Sequence, residues 1–396
     1  MKWNILVGQA GGPTAVINAS LAGIIGETQK NPGDQRIYGM RFGIEGFLDE
    51  RLIDLSNLGA GEIDRLRNTP GSALGSCRYK LRDEELPKIL RLLESYNIGT
   101  LFYIGGNDTM DTIHRIETYC RDSGYELTAV GVPKTVDNDL FGTDHTPGYP
   151  SAARYVALSV RQGGRLAEDM QKVDNFLIYQ TIGRDAGWLA AASALAKETP
   201  SDPPHLIYVP ERPMKRERFL EDVSSTIQSY GWASVVVGEG VVWEDGTPVS
   251  ASSERDRFSN VEFGAMGGTS AAVRLHRILS DEFGFRGEFQ IPESLHMCAD
   301  DRVSDIDREE AESVGIEAVR AAVVGLSGRM INIRRSDDPA QASSYSVRYD
   351  STPLSDVALH TKPLPKEYLT ESFVSPAFIE YLSPLTGGFP EYHVFR

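Results

Sequence analysis

Three short stretches of the 396-residue chain hold most of the residues that could do chemistry: VGQAGGPTAVIN at 7–18, YIGGNDTMDT at 103–112 and VPKTVDNDLFGTDHTPGY at 132–149. Each ends an apolar run in a turn rich in glycine or aspartate. In the first, Gly11 and Gly12 let the backbone come close to a ligand, and Pro13 is expected to open a helix whose free N–H groups face an anion. A purely structural Gly-Gly turn is the competing reading. The second repeats the geometry and adds Asn107 and Asp108 where a phosphate or its Mg2+ would sit. Helix capping by Asp108 is the alternative.

The third turn is the least ordinary. Lys134, Thr135, Asp137 and Asp139 offer within six positions a phosphate counter-charge, a hydrogen-bonding hydroxyl, a base and a metal-orienting carboxylate. Being two apart, Asp137 and Asp139 would point the same way on an extended backbone. An Asx-turn pair is the structural alternative. A fourth turn, QTIGRDAGWLAAASALA, places Arg184 at an expected helix start, where a guanidinium clamps a transferring phosphoryl group or else forms a surface salt bridge. Arg78, in GSALGSCRYK, is a candidate donor-phosphate contact. Glu239, in VVVGEG, ends an apolar strand as a substrate-hydroxyl acceptor or as a cap.

The elements that must hold these turns alternate. Apolar, β-branched runs occur at NILVG, TLFYIGG, LTAVGVP, NFLIYQTIG, HLIYVPE and SVVVGEG, and helical spacing marks 108–124, 151–172, 187–198, 216–231, 269–284 and 307–325. This βαβ alternation predicts an α/β fold around mainly parallel sheets, with ligands outside the carboxyl ends of the strands. Residues 244–268 read as a long functional loop and 334–347 as a surface excursion. There is no internal repeat.

Composition narrows the function. With 40 Lys+Arg against 56 Asp+Glu the formal charge is −16, which speaks against a nucleic-acid or anionic-membrane partner, so an anionic ligand needs a local basic cluster. Cys77, Cys120 and Cys298 are odd in number and lack a CxxC pair, which predicts neither a disulfide framework nor a zinc site, and suits a cytoplasmic protein. No signal peptide and no apolar run near the ~20 residues of a membrane span is apparent.

Taken in register, these motifs resemble the phosphofructokinase family over nearly the whole chain. GGPTAVIN stands for the first phosphate turn, GGNDT for GGDGS, PKTVDND for P-G/K-T-I-D-N-D, IGR for M-G-R, and the Glu239 turn for the sugar-binding glutamate. The C-terminal PLPKEYLTESFVSPAFIEYLSPLTGG is similar to the end of the longer pyrophosphate-using members. The resemblance implies two Rossmann-like three-layer α/β/α lobes: a donor lobe of 1–142 plus about 295–335, and an acceptor lobe of 143–294 plus about 336–396. It implies Asp137 as base, with Thr135, Arg184, Lys134 and Asp108 in the catalytic set. Gly11, Gly12, Arg78, Asn107, Asp108 and Lys134 would hold the donor. Thr135, Asp137, Ile182, Gly183, Arg184 and Glu239 would meet the acceptor, and Asn107, Asp108 and Asp139 would support Mg2+. A homodimer or homotetramer is implied as well. Members using ATP carry glycines where this chain has Asp108 and Lys134. Filling both positions crowds the nucleotide and adds a cation, which points to pyrophosphate as donor.

Departures from the family pattern concentrate in the acceptor half. Asn107 replaces an aspartate, Asn175 stands where a basic residue is usual, and Gln180 replaces a glutamate. PESLHMC puts Ser294, His296 and Met297 at Tyr, Gln and Arg positions, with Arg286, His296 and Lys172 as compensating candidates for a 6-phosphate. The leading expectation is a pyrophosphate-dependent phosphotransferase acting on fructose 6-phosphate. The same chemistry on another sugar, sugar phosphate or polyol is the alternative. A nucleotide kinase with a GGDG turn does not suit PKTVDND, and a silent sugar-phosphate sensor would be expected to lose Asp137 or Arg184.

Overall fold

The apolar runs form central strands because both faces of the sheet are covered. In the first strand Ile5 and Val7 join one buried cluster with Ile17, Leu21 and Ile24, while Leu6 joins the opposite cluster with Leu101, Tyr103 and Ile113. A strand buried on both sides has no polar face to alternate, so it reads as a continuous hydrophobic run. The protein, as a computed structural model, is described over residues 3–30, 33–250, 270–336 and 345–393.

Among the described residues the strands are β1 (Asn4–Gln9), β2 (Ile37–Met40), β3 (Leu52–Asp54), β4 (Ile98–Gly105), β5 (Thr128–Pro133), β6 (Phe176–Thr181), β7 (Leu206–Tyr208), β8 (Ala233–Gly238), β9 (Gly287–Gln290), β10 (Arg329–Arg335) and β11 (Val347–Pro353). They form two sheets. The first has the order β11-β10-β5-β4-β1-β2-β3 and is parallel except for its edge strands β3 and β11. The second, β7-β8-β6-β9, is wholly parallel. Helices Asn107–Asp122, Tyr149–Asp169, Arg216–Tyr230, Ala271–Phe283 and Asp305–Val323 fall on the periodic stretches. The α/β class is therefore as expected from the alternation.

The chain divides into two compact units, 1–150 with 297–362 and 151–296 with 363–396. This corrects the expected boundary at about 335. β11 pairs antiparallel with β10 along its whole length and completes the first sheet, and the chain as far as Lys362 belongs to the first unit instead of the second. Residues 143–150 also fall in the first unit. Most of the 244–268 loop and the centre of the 334–347 excursion lie outside the described residues. None of the described helices is long and apolar enough to cross a membrane. The three cysteines are free.

Candidate active site

In the first unit, β1, β4 and β5 end side by side, as their parallel registers require. The turns at Gly11, Asn107 and Lys134 therefore converge. The first turn departs from expectation in two ways. Its helix begins at Ile17, not at Pro13, and the Gly11 N–H donates to the Cys77 carbonyl at 3.0 Å. Part of the donor set expected to be free is thus used by the fold. The same contact, with Ser76 Oγ donating to the Gly11 carbonyl at 2.5 Å, brings the segment bearing the exposed Arg78 onto the turn.

Lys134 is the centre of this arrangement. Its ammonium donates to the Gly12 carbonyl at 2.7 Å, and the residue is only 3 % exposed. Burial lowers its pKa to about 8, against the pull of the Asp137 and Asp139 carboxylates and with the repulsion of Arg78. Three of the charged residues singled out at these turns, Asp137, Asp139 and Arg78, therefore act on Lys134. The side of Gly12 away from this contact is covered by Met297, whose terminal methyl occupies the space a Cβ would need. Met297, aligned with an acceptor arginine, thus packs against the donor turn.

The two acids of PKTVDND do not share an extended backbone. Asn138 between them has φ 55°, a left-handed conformation that asparagine tolerates better than most residues. The Asp137 N–H donates to Thr135 Oγ1 at 3.1 Å, whereas Asp139 Oδ2 accepts from Asn107 Nδ2 at 2.9 Å. Burial lifts the Asp139 carboxyl above its ordinary range, opposed by Lys362, Lys134 and the Asn107 bond. Asp137 thus lies next to Thr135, and Asp139 is hydrogen-bonded to Asn107.

Asn107 opens the helix Asn107–Asp122, with Gly106 as its N-cap and no side-chain cap bond, so Asp108 is not the cap. Asp108 is exposed in the first helical turn. Asn107 Oδ1 is buried without a hydrogen-bond partner. Such an orphaned oxygen is costly unless something else meets it, and a hard cation is one solution. Among the described residues no three His, Cys, Asp or Glu gather as a metal site. These residues suit Mg2+, which commonly takes one or two protein oxygens, with water and substrate phosphates completing its shell.

In the second unit Arg184 is exposed in a bend four residues before the helix Trp188–Ala192, not at its start. Among the described residues it forms no ion pair. Its backbone is held by close packing: a Cβ at Gly240 would run into the Arg184 carbonyl oxygen. Glu239 is buried, and its Oε1 accepts the Gly183 N–H at 3.2 Å, so IGR and GEG form one local unit beside Ile182. Gln180 Oε1 accepts the Ala272 N–H at 2.9 Å, at the start of the helix Ala271–Phe283. Its side chain is thus engaged with a helix end.

Two of the three compensating candidates are occupied or neutral. Arg286 pairs with Asp174 at 2.9 Å. His296 is 2 % exposed, and burial pushes its pKa down to about 4, so it is uncharged at neutral pH. Lys172 is exposed. Two further residues escaped the sequence reading, Asn138 and Lys362. The latter is 223 residues from Asp139 in the chain, beyond the reach of any local motif, although its N–H donates to the Asp139 carbonyl at 2.7 Å.

The sequence pattern described as phosphofructokinase matches residues 4–322. The chain belongs to the phosphofructokinase family. It is 36 % identical to the pyrophosphate–fructose 6-phosphate 1-phosphotransferase of Rhodospirillum rubrum, over all of this chain and 97 % of that protein. It is 34 % identical to the sulfofructose kinase of Alkalicoccus urumqiensis, over 93 % of this chain and 92 % of that one. A crystal structure of the pyrophosphate-dependent phosphofructokinase of Marinobacter aquaeolei superposes with a TM-score of 0.87 at 35 % identity, covering 99 % of this chain and 94 % of that one. The two sheets described above are thus those of a phosphofructokinase, and the chain is a phosphotransferase enzyme.

Proposed function

We propose that this phosphofructokinase-family enzyme transfers phosphate from pyrophosphate to the 1-hydroxyl of fructose 6-phosphate. The observation that carries the donor assignment is Lys134, a cation buried against the Gly12 carbonyl where nucleotide-using relatives have room. A buried cation meets a compact phosphate strongly. Full-length relatives named for the same reaction support the acceptor.

In this reading the 1–150 and 297–362 unit is the donor lobe. Lys134, Arg78 and the Gly11–Gly12 backbone hold pyrophosphate, and Asp137 takes the proton of the attacking hydroxyl while Thr135 orients the reacting groups. For Ile182, Gly183, Arg184 and Glu239, in the other unit, family correspondence carries the roles of acceptor contact and charge stabilisation. Asn107, Asp108 and Asp139 would hold Mg2+, which when bound offsets the charge of the phosphates. An assembly of at least two subunits belongs to this reading, and light scattering at assay concentration tests it.

A second reading is favoured by Met297 against Gly12, Asn175, the neutral His296 and the paired Arg286. They leave the 6-phosphate without its expected cations, so the acceptor is another sugar, sugar derivative or polyol. A panel of pyrophosphate against ATP, with fructose 6-phosphate, other sugar phosphates, free sugars and polyols, decides. Turnover with pyrophosphate and fructose 6-phosphate supports the first reading. Pyrophosphate-driven turnover of a different acceptor supports the second, and turnover with ATP alone overturns both.

A further inference from the structure

We propose that Lys362 is a positioning residue for the 137–139 turn. The inference rests on the phosphotransfer reading, in which Asp137 is the base. After β11 and the helix Leu354–Leu359 the chain returns beneath this turn, where Thr361 bridges Leu140 in antiparallel fashion and the Lys362 N–H donates to the Asp139 carbonyl at 2.7 Å. The side chain then grips the other limb of the loop. Its ammonium donates to Asn138 Oδ1 at 3.2 Å, to the Thr143 carbonyl at 3.1 Å and to the Asp144 carbonyl at 2.7 Å.

Burial lowers the Lys362 pKa to about 7, against the pull of Asp144 and Asp139; the protonated group has three donors, and all three are used. That argues for a structural grip and against direct contact of this group with a phosphate. Asn138 occupies the left-handed residue between the two acids, and its Oδ1 also accepts the Thr146 N–H at 3.1 Å. One lysine therefore ties together the residue flanked by Asp137 and Asp139 and the far limb at 143–146. Removing the ammonium deprives three acceptors of a charge-assisted donor and frees the turn to change conformation. A general base is sensitive to such freedom, since a misplacement of about 1 Å is enough to cost on the order of 10²-fold in rate.

The test compares full-length wild type, Lys362→Met, Lys362→Arg, Asn138→Gly and the Lys362→Met/Asn138→Gly double variant. Each is assayed with pyrophosphate, Mg2+ and the acceptor the wild type uses best. Lys362→Met should lower kcat by about 10²-fold with the KM for pyrophosphate within about threefold of wild type, because a positioning defect appears in the chemical step. Lys362→Arg, which keeps the charge, should recover part of the loss. Asn138→Gly keeps the left-handed backbone without strain but removes one acceptor, so it should lower kcat by roughly 3- to 10-fold, and the double variant should lose less than the product of the single losses. If Lys362→Met does not fold, Asn138→Gly carries the test. A kcat within about twofold of wild type in whichever variant carries the test, a loss confined to KM, or full additivity would overturn the positioning role. A wild type inert with pyrophosphate and every acceptor would instead overturn the functional reading, before any variant is compared.

Discussion

The Lys134 ammonium sits 2.7 Å from the Gly12 carbonyl oxygen, linking the end of β5 to the turn after β1. Burial has lowered its pKa from 10.5 to about 8, so the folded protein releases this proton well before a free lysine does. The cation is half lost at about pH 8, nearly complete well below that pH and largely gone well above it. The kcat/KM for pyrophosphate should therefore fall as pH rises through about 8. Lys134→Met should abolish that limb and lower kcat/KM by roughly 10- to 100-fold, the value of a charged hydrogen bond. A pH profile of both proteins checks this, and an unchanged alkaline limb in the variant refutes it.

Asp137→Asn should leave the fold intact and lower kcat by about 10²- to 10⁴-fold, the usual contribution of a general base. The amide is nearly isosteric and can still accept a hydrogen bond, so melting temperature should move little. Near-normal turnover would remove Asp137 from the mechanism.

Beneath the same loop lies His145, fully buried between Asp144 (2.8 Å) and Glu310 (2.5 Å), with Glu310 also accepting from Tyr345 at 2.6 Å. Burial alone would lower its pKa, but Glu310 and Asp144 outweigh it and raise the value from 6.5 to about 9. The folded state thus binds this proton more tightly than the unfolded chain. Its contribution to stability is complete below pH 6.5 and is lost as pH rises through about 9, amounting to on the order of 3 kcal/mol. Comparing urea unfolding of wild type and His145→Gln across pH 6 to 10 should show the gap narrowing on the alkaline side. A gap independent of pH would mean that His145 is neutral in the fold.

How much of this was legible depended on whether the signal was local. The strands at NILVG, TLFYIGG and SVVVGEG announced themselves because a strand covered on both faces is apolar throughout. β11 did not, since VRYDSTP sits at a sheet edge with only Thr352 fully buried, and the lobe boundary was misplaced with it. Lys134, Asp137 and Asn107 stood out as polar residues ending apolar runs. The left-handed Asn138 was hidden, because asparagine permits that conformation without requiring it, so the different partners of Asp137 and Asp139 could not be read from their spacing. Lys362 reaches its turn only through the tertiary fold.

Gly240→Ala tests the local unit of the second sheet. The added methyl group would collide with the Arg184 carbonyl, and backbone cannot yield as a flexible side chain can. A destabilisation of about 1–3 kcal/mol is expected, as for other overpacked sites, together with lost turnover because the Arg184 backbone must shift. Gly12→Ala is the control, since its obstacle is the flexible end of Met297. Thermal melts separate the two, and equal destabilisation would deny the rigid coupling of Gly240 to Arg184.

Donor choice offers the sharpest test because it depends on two residues at different depths. Lys134 is buried at the turn, whereas Asp108 is exposed in the first turn of the helix Asn107–Asp122. In the proposed donor site Lys134 would supply the charge a small donor needs, and Asp108 would set a carboxylate where the α-phosphate of a nucleotide would follow. Repulsion between two unit charges about 4 Å apart is near 4 kcal/mol at the effective dielectric of a protein surface. Asp108→Gly alone should therefore relieve repulsion without restoring space, and ATP should remain a poor donor. Lys134→Gly alone should weaken pyrophosphate use without admitting ATP, since Asp108 still repels it. The double variant Asp108→Gly/Lys134→Gly should lose pyrophosphate turnover and gain measurable ATP turnover, so that the ratio of kcat/KM for the two donors changes by more than the product of the single effects. Wild-type protein that prefers ATP, or a double variant whose ratio is the simple product, would show that these residues do not select the donor together.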